Sequence, residues 1–155
     1  MTLLYSDESF MKAALAEAEI AREKGEVPVG AVVVCNNRII ARAHNLTETL
    51  NDTTAHAEMQ AITAASTYLG GKYLDKCSIY VTLEPCTMCA GALFWSRIGK
   101  LFYGAADEKR GYTTNNSSIL HKKTAVESGI MVKECEKIIR EFFKMKRLNL
   151  SDEIY

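Results

Sequence analysis

His56 and Glu58 stand two residues apart, and about thirty residues later Pro85 introduces Cys86 and Cys89. Two thiolates and one imidazole are good zinc ligands, and three protein ligands leave a fourth tetrahedral position open to water. An open position separates a catalytic zinc from a structural one. No second Cys-x-x-Cys or His-x₃-His pair is present to close the shell. Zinc lowers the pKa of bound water from 15.7 to about 7, and a carboxylate beside that water can move its proton to a substrate nitrogen. The four residues thus specify metal-assisted hydrolysis, with His56, Cys86 and Cys89 on one zinc per chain and Glu58 carrying protons. The S₂N donor set favours zinc over other metals.

Such chemistry restricts the backbone around it. A spacing of three puts the sulfurs of Cys86 and Cys89 on one side of a single helical turn. The N–H groups and dipole of a helix start favour thiolates there. Residues two apart on a helix point about 200° apart. His56 and Glu58 can therefore share a site only where a helix begins, with the histidine near the N-cap and outside regular geometry. Cys-x-x-Cys alone is a weak signal and His-x-Glu alone weaker; both together at helix starts are specific. Cys35, Cys77 and Cys135 read as small buried or half-buried side chains of strands and a helix. His44 and His121 are isolated. Phe94 and Trp95 invite base stacking, against the plainer reading of core or dimer-interface packing; Met88 and Met145 read as packing residues.

The elements that must position the site are legible in outline. Ser6 caps a helix from Asp7, with an apolar stripe at Phe10, Ala14, Ala18 and Ala21, and Gly25 stops it. Residues 29–35 and 38–44 read as strands around Asn36 and Asn37, a pair suited to a tight hairpin turn. A helix from Ala55 to about Tyr68 ends at Gly70 and Gly71. A strand over 78–83, a helix over 86–96 and a strand over 100–104 follow. A weaker strand is expected over roughly 130–133, and a last helix over 134–147 with Ile138, Ile139, Phe142 and Phe143 inward. Residues 107–124 carry no clear pattern. Strands alternating with helices imply crossovers and a partly parallel sheet covered by helices.

Composition sets the outer bounds. The chain has 155 residues, which suits a single domain with one core, and is 48% hydrophobic and 25% charged, which argues against disorder. Its longest apolar runs, such as Gly30 to Cys35, fall far short of the roughly 20 residues a spanning helix needs. The first residues lack the pattern of a secretory signal. The cytoplasm is therefore expected and no membrane partner, and in that reducing compartment the five cysteines read as ligands or buried side chains rather than a disulfide framework. Nineteen basic and nineteen acidic residues cancel, but unevenly: residues 100–147 hold 11 basic and 6 acidic side chains. That basic third could follow a phosphate backbone, or be an ordinary solvated helix face.

Several further segments carry a resemblance: Glu26-Val-Pro-Val-Gly-Ala31, Asn45, Thr54-Ala-His-Ala-Glu58, the run from Val81 to Ala92, Ser96-Arg-Ile-Gly99, Gly104-Ala-Ala-Asp107 and the run from Phe142 to Arg147. With His-x-Glu followed by Pro-Cys-x-x-Cys, the known signature of the zinc nucleobase deaminases, the sequence resembles the cytidine deaminase superfamily. Within it the likeness is to bacterial tRNA-specific adenosine deaminases, over roughly residues 9–147, with 148–155 as a short tail. The resemblance implies a three-layer α/β/α fold with a central mixed five-stranded sheet, hydrolysis of a wobble-position adenosine to inosine, a tRNA anticodon stem-loop as partner, and a homodimer. It also implies that Asn45 hydrogen-bonds the flipped nucleoside, that Ala57 offers its N–H, that Val29 forms an apolar wall, and that Glu84 and Pro85 border the substrate. Asp107, Lys109, Arg110, Lys144, Lys146 and Arg147 are candidates for the RNA backbone. The sequence departs from the family after Asp107, where Gly111 to Asn116 intervene. Two rivals remain: a free-base deaminase acting on guanine or cytosine, and the non-catalytic zinc-stapled module.

Overall fold

The structure is a computed structural model that describes residues 5–153, with side chains described through residue 150. The elements are α1 (Asp7–Glu23), β1 (Gly30–Cys35), β2 (Arg38–His44), α2 (Ala57–Leu69), β3 (Cys77–Leu83), α3 (Thr87–Ser96), β4 (Lys100–Ala105), α4 (Tyr112–Asn115), β5 (Ala125–Ser128) and α5 (Val132–Glu153). They form one five-stranded sheet in the order β2-β1-β3-β4-β5. β1 runs antiparallel to both β2 and β3, whereas β3, β4 and β5 are mutually parallel.

Strand alternation sorts the core into two layers. Ala31, Val33, Ile79, Val81, Leu101 and Tyr103 face one way and pack with Ala57, Ala61 and Ala65 of α2 and Ala90 and Leu93 of α3. Val32, Val34, Tyr80 and Phe102 face the other way, against Phe10, Met11 and Ala14 of α1 and Cys135 of α5. Because both faces are covered, β1 and β3 read as nearly continuous apolar runs rather than alternating ones. The result is the expected α/β/α sandwich around a mixed sheet.

Local chemistry explains the element ends. Ser6 and Ser9 form a reciprocal capping box at the start of α1, with backbone-to-hydroxyl distances of 3.0 and 3.1 Å. Asn36 and Asn37 take φ of 53° and 57°, the left-handed pair that a two-residue hairpin demands. Gly30 allows α1 to lie directly on β1: a Cβ there would collide with the Ala14 carbonyl and come within 2.6 Å of the Ala18 nitrogen. β3 ends at Leu83 and α3 begins at Thr87, so Glu84, Pro85 and Cys86 lie at the carboxyl end of the parallel strands. That end of an open sheet is where α/β proteins place ligands.

The C-terminal third departs from expectation. The fifth strand is Ala125–Ser128, not 130–133, and every one of its side chains is exposed, so it carries no hydrophobic pattern. Gly129 and Met131, at φ of 85° and 54°, break extended backbone just where the strand was expected. α5 then begins two residues early, and the supposed tail after residue 147 continues as helix through Glu153. Ile138 is buried on α5, but Phe143 is 39% exposed and does not belong to its inner side. Met145 is likewise exposed rather than packed.

Candidate metal centre and active site

His56 is the N-cap residue of α2 and Cys86 that of α3, and both hold extended backbone, with ψ of 155° and 173°. Neither side chain caps its own helix, so both are free to turn toward each other. Cys89 follows in the first turn of α3. The α2 and α3 starts converge because both helices pack on the same sheet face. The sulfurs of Cys86 and Cys89 stand 3.7 and 3.5 Å from Nδ1 of His56, and the three donor atoms lie within 4.8 Å of one another. Bonds of about 2.3 Å to sulfur and 2.0–2.1 Å to nitrogen at a tetrahedral angle require an S···N edge of about 3.5 Å. The two S···N edges of 3.7 and 3.5 Å fit the residues to a tetrahedral metal such as zinc.

Glu58 sits beside this triangle, 4% exposed. Burial, above all, pushes its carboxyl up to about 7, and the charge of Cys86 adds to the rise; His56 pulls the other way. The Cys86 thiol is held down to about 4, first by its hydrogen bond with Cys89 and then, against its burial, by His56. Cys89 is pushed up by that same hydrogen bond and by burial. His56 is raised by its contact with Cys86.

These residues form one end of a cavity of about 740 Å³, the size of small-molecule sites. Val27, Val29, Asn45 and Thr47 make one wall; Leu83, Glu84, Thr87 and Met88 continue the floor; Asp107, Lys109, Arg110 and Asn115 make the other wall. Asn45 is 6% exposed, its N–H donates to the Val29 carbonyl, and its Oδ1 is the only buried side-chain N or O atom of the described residues without a hydrogen-bond partner. A buried acceptor left unpaired costs free energy unless a ligand completes it.

The fold brings Val29, Asn45, Ala57, Glu84, Asp107, Lys109 and Arg110 to the cavity, but not Lys144, Lys146 or Arg147, which lie on α5 away from its lining. Pro85 is not among the lining residues; its carbonyl accepts the Tyr112 N–H at 2.9 Å. Trp95 is 77% exposed, so it is no core residue, and Met88 faces the cavity instead of packing away from it. His44 is satisfied elsewhere, 2.7 Å from Glu17 and 3.0 Å from Lys24. Sequence reasoning missed Thr47 and Asn115, and it missed the loop contacts of Glu26. For Glu26 the one local signal is an acidic residue just ahead of a proline, in Glu26-Val-Pro28, which it shares with Glu84-Pro85; Thr47 and Asn115 carry none.

A deaminase-type site on a deaminase-type sandwich is matched by comparison with known proteins. Residues 5–147 match the MafB19-like deaminase family. The chain is 46% identical to the tRNA-specific adenosine deaminase of Agrobacterium fabrum, with 90% of this chain and 95% of that protein covered. It is also 46% identical to the tRNA-specific adenosine deaminase of Bacillus subtilis, covering 94% and 98%. A solved structure from a study of A-to-I editing by tRNA A34 deaminases at the wobble position superposes with a TM-score of 0.79 at 46% identity, covering 83% of this chain and 97% of that one. Bacillus subtilis guanine deaminase superposes less closely, with a TM-score of 0.63 at 39% identity, covering 73% and 69%. The chain therefore belongs, within the MafB19-like deaminases, to the family of the tRNA-specific adenosine deaminases. No helix of the described residues is long and apolar enough to cross a membrane.

Proposed function

We propose that this chain is a zinc-dependent hydrolytic deaminase that converts adenosine to inosine at the wobble position of tRNA. The observation that carries this reading is the triangle of two sulfurs and one nitrogen with a buried carboxylate beside it. His56, Cys86 and Cys89 would hold one zinc, and their separations suit it. When bound, zinc supplies an acidified water as nucleophile at neutral pH.

Glu58 carries the protons. It accepts one from water and delivers it to N1 of the adenine, then takes the second from the hydroxyl added at C6 and gives it to the amino group leaving C6, so that the C6 carbonyl forms. The balance is adenosine plus water giving inosine plus ammonia. A carboxyl raised toward neutrality can serve as base first and acid second. Asn45 offers its unpaired Oδ1 to the nucleoside, the Ala57 N–H reaches the base, and Val29 walls the apolar side. A stacked base is out of reach of so recessed a site, so the nucleotide must be extruded into it, which a loop allows at lower cost than a duplex. Lys109 and Arg110 at the mouth meet the flanking phosphates, with Asp107 fixing their turn through its Oδ1 to both N–H groups at 3.1 and 3.0 Å. Lys144, Lys146 and Arg147 extend the basic track along α5. The whole chain acts as one deaminase domain in the cytoplasm. A second copy covers the outer face of α3, where exposed Trp95 stands edge-on to Phe94.

The likeness to guanine deaminase keeps free bases as the second reading. Both are tested together by measuring ammonia and inosine from an anticodon stem-loop, and ammonia from free guanine, cytosine and adenine. Turnover of the stem-loop supports the proposal; turnover of a free base without the stem-loop overturns it.

A further inference from the structure

Glu26 and Glu84 are buried on opposite sides of the cavity, 0% and 4% exposed. No ion pair of the described residues includes either of them. A buried carboxylate is costly unless hydrogen bonds replace its water, and both are satisfied in the same way. Glu26 accepts the N–H groups of Glu48 and Thr49 at 2.9 and 2.8 Å and the Thr47 hydroxyl at 3.4 Å. Glu84 accepts the N–H groups of Asp107 and Thr113 at 3.2 and 3.0 Å and the Thr113 hydroxyl at 2.8 Å. In each case two backbone donors and a threonine come from one segment, the loop after β2 for Glu26 and the loop after β4 with the first turn of α4 for Glu84, and that segment supplies a cavity wall: Asn45 and Thr47 on one side, Asp107, Lys109 and Arg110 on the other.

We propose that Glu26 and Glu84 are a matched pair of positioning residues, each setting one wall of the cavity by gripping its loop from beneath, and that Glu84 thereby sets the hold on the RNA strand outside the reacting nucleotide. The second part rests on the tRNA reading. Glu84 is one residue from the strand that leads into Cys86, so its grip ties the Lys109 and Arg110 loop to the metal centre itself. Packing against the loop alone would need no charge there. All partners of each carboxylate are donors, so a carboxamide must turn its NH₂ toward an N–H and release part of the loop.

The test compares Glu84→Gln and Glu26→Gln in the zinc-loaded protein, with Thr113→Val as a milder variant should Glu84→Gln fail to fold. Amide exchange is followed along both loops, and KM and kcat are measured on an anticodon stem-loop at several salt concentrations. Glu84→Gln is expected to speed exchange over residues 107–115 and leave residues 47–49 protected, with the reverse for Glu26→Gln. On RNA, Glu84→Gln should raise KM by about tenfold, with a smaller change in kcat, and make KM less steeply salt-dependent by about one phosphate contact. Zinc content should stay at one per chain. Unchanged exchange over 107–115 overturns the clamp whatever the substrate proves to be. A fall in kcat alone, with KM and its salt dependence unmoved, overturns its role in RNA binding. Absence of RNA turnover in the unaltered protein would instead count against the tRNA reading, and amide exchange would still judge the clamp.

Discussion

His56 and Cys86 cap two helices whose buried faces are packed on the sheet through Ala57, Ala61, Ala65, Ala90 and Leu93. Lys109 and Arg110, across the same cavity, stand on a loop anchored by one carboxylate, the Pro85 carbonyl, a single bridge between Cys86 and Gly111, and at its far end the buried ring of Tyr112. The donor triangle inherits its geometry from the core, so moving it means unpacking helices. Between Asp107 and Gly111 the rim rests on a few hydrogen bonds, with one buried ring, Tyr112, beyond them, so that stretch can be moved one bond at a time. Chemistry that needs placement to a fraction of an ångström sits on the rigid part. On the proposed reading, the contacts that must adapt to a folded RNA sit on the part that is locally held.

Breaking the floor should have the largest effect. His56→Ala leaves two thiols without their third donor, and metal analysis should find the zinc gone, with deamination below detection. A variant that keeps its metal would show that the three residues do not act as one site. Next comes the wall. Asn45→Ala removes the unpaired acceptor, and kcat/KM on the stem-loop should fall by about 10- to 100-fold, the worth of a buried hydrogen bond to substrate. An unchanged value would mean that Oδ1 meets no substrate atom.

Crowding the rim should have a smaller effect, read here as stability. A Cβ on Gly111 would collide with Oε2 of Glu84 and lie 2.5 Å from the Asp107 carbonyl. Gly111→Ala should therefore cost about 1–3 kcal/mol in urea unfolding, with zinc retained. Smallest is the pH effect of Glu26. Burial alone would raise its carboxyl, but hydrogen bonds from Thr49, Glu48 and Thr47 together hold it below its ordinary value of 4.5. A depressed carboxyl contributes stability above its unfolded pKa and loses it as pH falls through the folded one. Glu26→Gln should thus lower Tm at neutral pH and flatten the acid decline below about pH 4.5 relative to the unaltered protein. Parallel curves across pH 3–7 would show that the fold does not lower the Glu26 carboxyl.

The same division explains what could be read from sequence. Ala31 to Val34, the Asn36–Asn37 turn and the stripe from Phe10 to Ala21 announce their elements because burial and φ leave few alternatives. The convergence of His56, Glu58, Cys86 and Cys89 was legible because the metal chemistry they suggest limits both residue type and spacing. β5 was not, because its four residues are all exposed and it is held by pairing with β4 alone. Glu26 was not, because a buried glutamate has the same letter as a solvated one, and its partners, mostly backbone N–H groups, leave no trace in sequence. Lys144, Lys146 and Arg147 show the converse. Their charge was plain, but where α5 would present it depended on packing far upstream.

The most direct test is Glu58→Ala, assayed for bound zinc and for inosine in an anticodon stem-loop side by side with the unaltered protein. The expected result is a folded protein with one zinc per chain whose inosine formation is slower by about 10³-fold or more. A variant that still forms inosine at the original rate, or that loses its zinc along with its activity, would contradict the assignment of Glu58 as the proton carrier beside an otherwise intact metal centre.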